Sequence, residues 1–346
     1  MPKYPVETLP REEVIACVER KANGRIPAVL CCWWGDGLYK KYGAVLDDIQ
    51  KDFPEDVFLS FFNAPGSAES TTDNPSYRWG YLPDYSSSER HSIGEAIVLL
   101  SDWEDLDKFL ADFPNPDEPG VMDKVIESLP KANGRYKLGG FWRLFHEKLW
   151  EIRGMENLMM DYYDNMEGLQ TIGRKLLDFH KRIAERFKEL GFDGIFTSDD
   201  LGHQASAMMS PAVFHELYFP LYKEFIDHVH SLGMHVWLHS CGNNTVLMDD
   251  LIAAGLDVFH PVQKNCMDEE AIAIRYGKEI TFLYGIDVQN LLPNGTKEEV
   301  QAEIAHMAQL FRKNGGSMIF AAGNGIMPDT PVENIRAMLE QVYSYR

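Results

Sequence analysis

The sequence of 346 residues lacks several features that mark broad classes of protein. It contains no run of about 18 consecutive apolar residues, the length that a membrane-spanning helix requires. Its first residues, MPKYPVETLPREEV, lack the basic segment and the apolar block of a secretory signal. We therefore expect a soluble, cytoplasmic protein that does not contact a membrane.

Positive charge is also scarce. The chain has 33 Lys and Arg against 53 Asp and Glu, so its net charge is −20, and no lysine-rich or arginine-rich stripe interrupts this balance. Such a surface repels nucleic acid phosphates and anionic lipids, so neither is an expected partner. The five cysteines are an odd number in a long chain without disulfide-like spacing, and we predict that they are free thiols.

What the chain does contain is an alternation of short apolar runs with amphipathic helical stretches. Two helical stretches, 166–191 and 210–233, close on a glycine suited to a helix C-terminus. Ser210 followed by Pro211 marks the start of the second one. The apolar runs predict eight strands: PAVLCCW (27–33), VFLSFF (57–62), YKLGGFW (136–142), DGIFTS (193–198), HVWLHS (235–240), LDVFHP (256–261), ITFLYG (280–285) and SMIFAA (317–322).

Eight strand and helix units predict one α/β domain over residues 1–346, a (β/α)₈ or TIM barrel. The stretch from about 64 to 130 is too long for an ordinary connection, so we expect an insertion of small strands and helices over the barrel mouth. In this fold the active site lies at the carboxyl ends of the strands. Polar residues that follow the strands are therefore the candidates for function.

The fifth predicted strand ends in HVWLHSCGN (235–243), which places a histidine and a cysteine two positions apart. Side chains alternate along a strand, so His239 and Cys241 share one face. Imidazole nitrogen and thiolate sulfur are ligands that zinc prefers, and a catalytic zinc site needs a third ligand and an open position. The pair alone also fits a hydrogen-bonded core histidine beside a small buried cysteine.

Other polar residues follow the remaining strands. The segment TSDDLGHQ puts Asp199 and Asp200 just beyond the fourth strand, where they could act in catalysis or cap a turn, and it includes Gln204 as a candidate for substrate binding. His260 could be a ligand, an acid–base group or a buried core residue. Asp287 could bind a ligand or only close its loop.

Aromatic residues are expected to crowd the barrel mouth. They could flank an apolar substrate or a flat tetrapyrrole, although core filling explains any single one equally well. Asp36 lies in the same first loop as two of them and is a further candidate for binding. The aromatic candidates are Trp33, Trp34, Trp79, Tyr81 and Trp142.

Three segments carry a resemblance to a known family: HVWLHSCGNNTVLMDDLIAAGLDVFHPVQ (235–263), LYGIDVQNLLPNGTKEEV (283–300) and TPVENIRAM (330–338). Together they resemble the uroporphyrinogen decarboxylase superfamily, and the resemblance covers nearly the whole chain. Members of that superfamily are (β/α)₈ barrels that divide into decarboxylases and corrinoid-dependent methyltransferases.

The first strand loop separates the two branches. The decarboxylases carry an arginine-rich loop of the type RQAGRY that binds porphyrinogen carboxylates, whereas this chain has CCWWGDGLYKKYG, with Asp36 where guanidinium groups would be expected. The H-x-C pair is similar to the zinc-ligand pattern of the methyltransferases. The resemblance therefore implies transfer of a methyl group between a small molecule and the cobalt of a corrinoid, with zinc on the substrate heteroatom.

One position departs from the methyltransferase pattern. Those enzymes supply a further cysteine from the loop after the last strand, or in some relatives a histidine, and FAAGNGIMPDTP places Asn324 there. An amide oxygen is a poor zinc ligand. We therefore expect a carboxylate as the third ligand: Glu147 in FHEKLWEIRG is the first choice and Asp199 the second, with Asp200 also a candidate.

No segment resembles the corrinoid-binding signature D-x-H-x-x-G, so we expect the corrinoid on a partner protein that docks at the barrel mouth. Two other functions stay open. One is a uroporphyrinogen decarboxylase-like decarboxylase, for which the arginine cluster is missing. The other is a non-catalytic barrel that binds a metal or a tetrapyrrole, suggested by Asn324. Without retained zinc, the expected site consists of Asp199, Asp200 and His260.

Overall fold

A computed structural model of the chain describes residues 7–21, 24–30, 33–67, 69–79 and 98–345. It contains one sheet of eight parallel strands in the order β1-β8-β7-β6-β5-β4-β3-β2, so the predicted (β/α)₈ barrel is confirmed. Cys31 and Cys32, at the end of the first predicted strand, lie outside the described residues. The strands are β1 (Ala28–Val29), β2 (Val57–Phe61), β3 (Tyr136–Phe141), β4 (Gly194–Ser198), β5 (His235–His239), β6 (Val258–His260), β7 (Thr281–Ile286) and β8 (Met318–Ala322).

A buried carboxylate holds the first and second strands together. The Asp56 N–H donates to the Ala28 carbonyl at 3.3 Å. The Asp56 side chain accepts from the N–H groups of Ala28 at 2.8 Å and Leu9 at 2.7 Å. Hydrogen bonds to an ionised acceptor are stronger than those between neutral groups, so Asp56 stabilises the seam where the barrel nearly closes.

Helices cover the outside of the barrel, and β4, β7 and β8 are buried along their whole length, as is usual for parallel strands covered on both faces. Among the described residues, no helix is both long enough and apolar enough to cross a membrane. The α-helices are α1 (Arg11–Val18), α2 (Leu38–Tyr42), α3 (Ala44–Asp52), α4 (Leu106–Ala111), α5 (Asp123–Ser128), α6 (His146–Arg153), α7 (Met155–Asp164), α8 (Met166–Glu189), α9 (Pro211–Val213), α10 (Phe219–Ser231), α11 (Met248–Ala254), α12 (Glu269–Tyr276), α13 (Leu291–Asn294), α14 (Lys297–Lys313) and α15 (Val332–Tyr343).

Both predicted helical stretches are present, and the second contains an irregular turn. Ser210 caps α9 by accepting the N–H of Val213 at 3.2 Å. A π-helical turn, Phe214–Tyr218, then joins α9 to α10. It ends just before Pro220, which has no N–H to continue the helical hydrogen bonds. Tyr222, one turn further on, reaches a carboxylate at the end of β4.

The long segment from 64 to 130 is described only in part. Residues 68 and 80–97, which include the aromatic candidate Tyr81, lie outside the described residues. The described part holds α4, α5, two short 3₁₀ turns (Trp103–Asp105 and Leu129–Ala132) and an isolated bridge between Gly66 and Arg78. The division into a barrel and an insertion stays a prediction.

Candidate metal centre and active-site cavity

A cavity of about 880 Å³ lies at the carboxyl ends of the strands. His239, at the end of β5, lines it together with Asn324 from the loop after β8. Trp142 is 45% exposed, so its ring still has a free surface. The other predicted binding residues that line the cavity are Trp33, Trp34, Asp36 and Trp79.

Three potential metal ligands converge at one side of this cavity: Asp200, His239 and Cys241, which we call the ligand cluster. One ligand atom from each lies within 4.8 Å of the others. His239 Nε2 is 3.2 Å from Cys241 Sγ and 3.6 Å from Asp200 Oδ1. Zinc bonds of about 2.0–2.3 Å at tetrahedral angles separate two ligand atoms by about 3.3–3.6 Å. The spacing around His239 Nε2 therefore fits a shared zinc ion.

The strand register explains why these three residues meet. Ser198 of β4 lies directly beside His239 of β5. Side chains alternate along strands, so Asp200 continues the face of Ser198 just as Cys241 continues the face of His239. The Cys241 N–H donates to Asp200 Oδ1 at 2.7 Å, which fixes the two loops at the height of the cluster.

Two glycines allow the loops after β4 and β5 to touch. Gly242 has φ +82°, and a Cβ atom on it would lie 2.4 Å from the backbone of Gly202. The Asn243 N–H donates to the His203 carbonyl at 2.8 Å beside this contact. A larger residue at position 242 would force the loops apart, and the distance between Asp200 and the β5 ligands would grow.

His260 lies behind the cluster and fixes the tautomer of His239. His260 Nε2 is 2.9 Å from the Ala322 carbonyl, which can only accept, so this nitrogen carries the proton. Burial lowers the pKa of His260 well below its usual value, which keeps the ring neutral and leaves Nδ1 as an acceptor. His239 Nδ1, at 2.6 Å, must then donate. The lone pair of His239 Nε2 consequently points to the ligand cluster, as metal binding requires.

The charge in the cluster favours a cation. Burial, followed by the negative charge of Asp200, raises the pKa of Cys241 to about 12. The thiol therefore keeps its proton near neutral pH unless a positive ion binds beside it, and metal binding would release that proton. The donor set, the spacing and the His239 tautomer together fit zinc.

Asn324 meets the cluster through its nitrogen. Its Nδ2 lies 3.6 Å from Cys241 Sγ and donates toward the sulfur. Its Oδ1 accepts the N–H of Gly325 at 2.7 Å, an arrangement that assigns the amide orientation. Asn324 therefore orients the Cys241 sulfur through its nitrogen, and its oxygen faces the backbone.

Asp199 has different surroundings from its neighbour Asp200. Its buried carboxylate accepts the N–H groups of Phe145 at 3.1 Å, His146 at 2.9 Å and Glu147 at 2.8 Å. It also accepts the Tyr222 hydroxyl at 2.6 Å. The three backbone donors lie at the start of α6, so Asp199 anchors that helix, and it lies outside the ligand cluster.

Glu147 lines the cavity, but the structure does not bring it into the ligand cluster. Its Oε2 accepts the Ser198 hydroxyl at 2.6 Å. Burial, and then the charges of Asp199 and Asp200, raise the pKa of Glu147 to about 7. This carboxyl group can therefore hold or release a proton near neutral pH, which is the property of an acid–base group.

Two other candidates lie away from the cluster. Gln204 is exposed in the loop after β4 and is not among the residues that line the cavity. Asp287 lines a smaller adjoining cavity of about 200 Å³ that also reaches Cys241 and Asn324. Its carboxylate accepts the N–H of Gln289 at 2.8 Å, so Asp287 closes its own loop.

Sequence reasoning missed three nitrogen-bearing residues that line the cavity: Arg143, Lys148 and His180. Lys148 and Glu151 are three positions apart on α6, a pattern that usually marks an exposed ion pair. Both are buried here, at 4% and 7% exposure. Their position in the sequence could have indicated Arg143 and Lys148, because both closely follow a barrel strand, where active-site residues lie.

The chain belongs to the uroporphyrinogen decarboxylase family, whose model matches residues 115–345. The resemblance predicted from the sequence is thereby confirmed at the level of the family. A methylated-thiol–coenzyme M methyltransferase from Methanosarcina mazei is 24% identical over 191 residues, 54% of this chain and 47% of that protein. The methylcobamide:CoM methyltransferase MtbA from Methanosarcina acetivorans is 29% identical over 174 residues, 49% of this chain and 47% of that protein.

A solved structure extends the likeness to the whole fold. A methyltransferase from Methanosarcina mazei superimposes with a TM-score of 0.67 at 14% identity, over 98% of this chain and 99% of that one. At this identity the likeness establishes the barrel and not the chemistry. The matched stretch spans about half the length of the two curated relatives.

Proposed function

We propose that this protein is a corrinoid-dependent methyltransferase that moves a methyl group between a small molecule and a corrinoid carried by a partner protein. The observation that carries the proposal is the convergence of Asp200, His239 and Cys241 beside an open cavity at the carboxyl ends of the strands. The curated relatives, a methylated-thiol–coenzyme M and a methylcobamide:CoM methyltransferase, support the reaction class.

The ligand cluster is proposed to hold zinc. Zinc bound there would stabilise a deprotonated thiol acceptor or withdraw electrons from the heteroatom of a methyl donor. Asp200 takes the place of the missing second cysteine as the third ligand, in preference to Glu147 and Asp199. His260 keeps the His239 lone pair directed inward through the 2.6 Å contact between their Nδ1 atoms, and Asn324 orients the sulfur.

Glu147 is proposed as the group that moves the proton. A thiol in the cavity loses its proton when it becomes the nucleophile, and an ether oxygen gains one after its methyl group leaves. With a pKa near 7, the Glu147 carboxyl can accept the first proton or supply the second. Trp142 and the other aromatic residues give the same space an apolar surface beside this carboxyl group.

The test combines metal analysis with a transfer assay. Protein purified without added zinc is assayed with free methylcobalamin or cob(I)alamin, with thiols as acceptors and methyl ethers as donors, and the corrinoid spectrum is followed. We expect about one zinc per chain, and transfer that a chelator abolishes and added zinc restores. A protein that neither retains zinc nor can be loaded with it would reject the zinc-assisted proposal.

A further inference from the structure

A second part of the cavity carries positively charged side chains, in contrast to the ligand cluster. We call this part the cation wall. It consists of Arg143, which follows β3, and of Lys148 and Glu151 on α6. Lys148 Nζ lies 2.5 Å and Arg143 Nη1 2.9 Å from the same oxygen, Glu151 Oε2. One carboxylate thus serves two cations, and these three residues together carry one excess positive charge, with Glu147 as the next carboxyl group whose charge acts on both cations.

The two cations differ in exposure, because Lys148 is buried and Arg143 is 50% exposed. Lys148 is only 4% exposed, and its ammonium lies 4.3 Å from the centre of the Trp79 ring, whose face attracts cations. Lys148 and Arg143 both line the cavity, and each has N–H donors beyond those directed at Glu151. No salt bridge within the described residues joins either of them to another carboxylate. Because Glu151 already pairs with the buried Lys148 and Arg143 is 50% exposed, the Arg143 guanidinium has N–H donors that an anion in the cavity can reach.

A buried histidine adds an unpaired ring nitrogen to the same part of the cavity. His180 also lines the cavity and is 2% exposed, with its ring stacked on Phe141 at a centroid distance of 4.8 Å. Its Nδ1 has no hydrogen-bond partner among the residues that the structure describes. Buried polar atoms in folded proteins are nearly always paired, which makes this one a second indication of a missing ligand.

The backbone at Arg143 is strained in the same place. Arg143 has φ +67°, a conformation that residues other than glycine rarely adopt. Ser198 holds it there: its hydroxyl accepts the Arg143 N–H at 2.9 Å, and its carbonyl accepts the Leu144 N–H at 2.8 Å. Such strain persists where the surroundings impose it and is concentrated at functional sites.

Aromatic surface connects the two ends of the cavity. The Trp142 ring lies 6.3 Å from the His239 ring of the ligand cluster, and Arg143 is the next residue along the chain. Phe61 packs against Trp142 at 5.1 Å with the rings tilted by 30°. A flat apolar body fits against such rings better than a strongly hydrated one.

We propose that the small molecule handled by this protein is a flat organic acid, whose anionic group binds Arg143 and Lys148 while its apolar body lies along Trp142. Its opposite end, the heteroatom that gives or takes the methyl group, then faces the ligand cluster. Only this last statement rests on the proposed methyl transfer. The acid site itself is defined by the cation wall, His180 and the aromatic surface.

Equilibrium binding of simple probes tests the acid site without any turnover. Benzoate, benzenesulfonate, benzyl alcohol and acetate are titrated into the purified protein by calorimetry. Because the whole chain carries a net charge of −20, general electrostatics disfavour anions. We nevertheless expect one of the two aromatic anions to bind at least about tenfold more tightly than benzyl alcohol or acetate. The better anion identifies the acid group, and equal binding of all four probes would overturn the proposal.

Variants then locate the anion. Arg143→Gln should weaken binding of the aromatic anion by at least about tenfold and leave benzyl alcohol unchanged. The matched control, Arg174→Gln, removes an exposed arginine that pairs with Glu224 on the outer helices, and binding should not change. If Cys241→Ser weakens the anion and Arg143→Gln does not, the probe binds at the ligand cluster and the proposal is wrong. None of these results depends on methyl transfer. If Arg143→Gln does not fold, the comparison of the four probes on the wild-type protein still tests the acid site.

Discussion

The ligand cluster and the cation wall face the same cavity but are built on opposite principles. The ligand cluster gathers lone pairs, from an imidazole nitrogen, a sulfur and a carboxylate, and its hydrogen bonds keep those lone pairs directed inward. The cation wall gathers N–H donors around one shared carboxylate. The first region is therefore suited to a metal cation and the second to an anionic group.

A substrate in this cavity would therefore be oriented by charge as well as by shape. A molecule with an acid at one end and a methyl-bearing heteroatom at the other can bind in one direction only. Such orientation contributes to the rate by holding reacting atoms in line.

The largest effect is expected from removal of the cluster sulfur. Cys241→Ser should lower zinc affinity by about 100-fold or more, because a thiolate is the strongest of the three zinc ligands and a neutral hydroxyl a weak one. Metal content after dialysis against a competing chelator measures the loss. Cys266→Ser is the matched control, since Cys266 is a free cysteine outside the cluster, and its zinc content should equal that of the wild type.

The neighbouring aspartates should separate stability from metal binding. Asp199→Asn replaces an acceptor of three N–H groups and one hydroxyl, so we expect a loss of about 2–3 kcal/mol in the free energy of unfolding. Urea denaturation of metal-free protein measures it. Asp200→Asn should cost clearly less, since Asp200 accepts one backbone N–H at 2.7 Å. Equal losses would contradict the anchoring role of Asp199.

The free energy of unfolding should depend on pH through the Glu147 carboxyl group. Its pKa of about 7 lies above the value of about 4.3 in an unfolded chain, so the folded state holds the proton more tightly. This contribution to stability is fully present below about pH 4.3 and is lost as the pH rises to about 7. Glu147→Gln should therefore gain about 1–2 kcal/mol relative to the wild type between pH 5 and pH 7.5 in metal-free protein. A constant difference across this range would show that Glu147 titrates normally.

The smallest effect is expected for the choice of carboxylate ligand. Asp200→Asn should lower zinc affinity by about tenfold, because one of three protein ligands is weakened. Glu147→Gln should leave zinc affinity within about twofold, since Glu147 bonds to Ser198 and lies outside the cluster. Competitive titration with a zinc indicator measures both. The reverse order would restore Glu147 as the third ligand.

The barrel could be predicted from the sequence because its eight strands are short apolar runs buried on both faces, each followed by a helical pattern. The pairing of His239 with Cys241 followed from side-chain alternation, and the structure brings them to 3.2 Å. The same alternation groups Ser198 with Asp200 and puts Asp199 on the other face. It could not single out Asp200 as the neighbour of His239 and Cys241, because that proximity depends on the register between β4 and β5.

The cation wall could not be predicted in the same way. Lys148 and Glu151 have the spacing of an ordinary surface pair, and nothing local indicates that both are buried. Asp199 holds the start of their helix, α6, against the end of β4 through three backbone N–H groups. Contacts of this kind, between residues about 50 positions apart, appear only in the folded chain.

X-ray absorption at the zinc edge of the purified protein tests the central claim most directly, because it reports the atoms that surround the metal. We predict one sulfur at about 2.3 Å and nitrogen or oxygen ligands at about 2.0–2.1 Å, with the sulfur contribution lost in Cys241→Ser. Zinc that is surrounded by nitrogen and oxygen alone in the wild type, or a spectrum that Cys241→Ser leaves unchanged, would contradict the assignment of Asp200, His239 and Cys241 as the metal site.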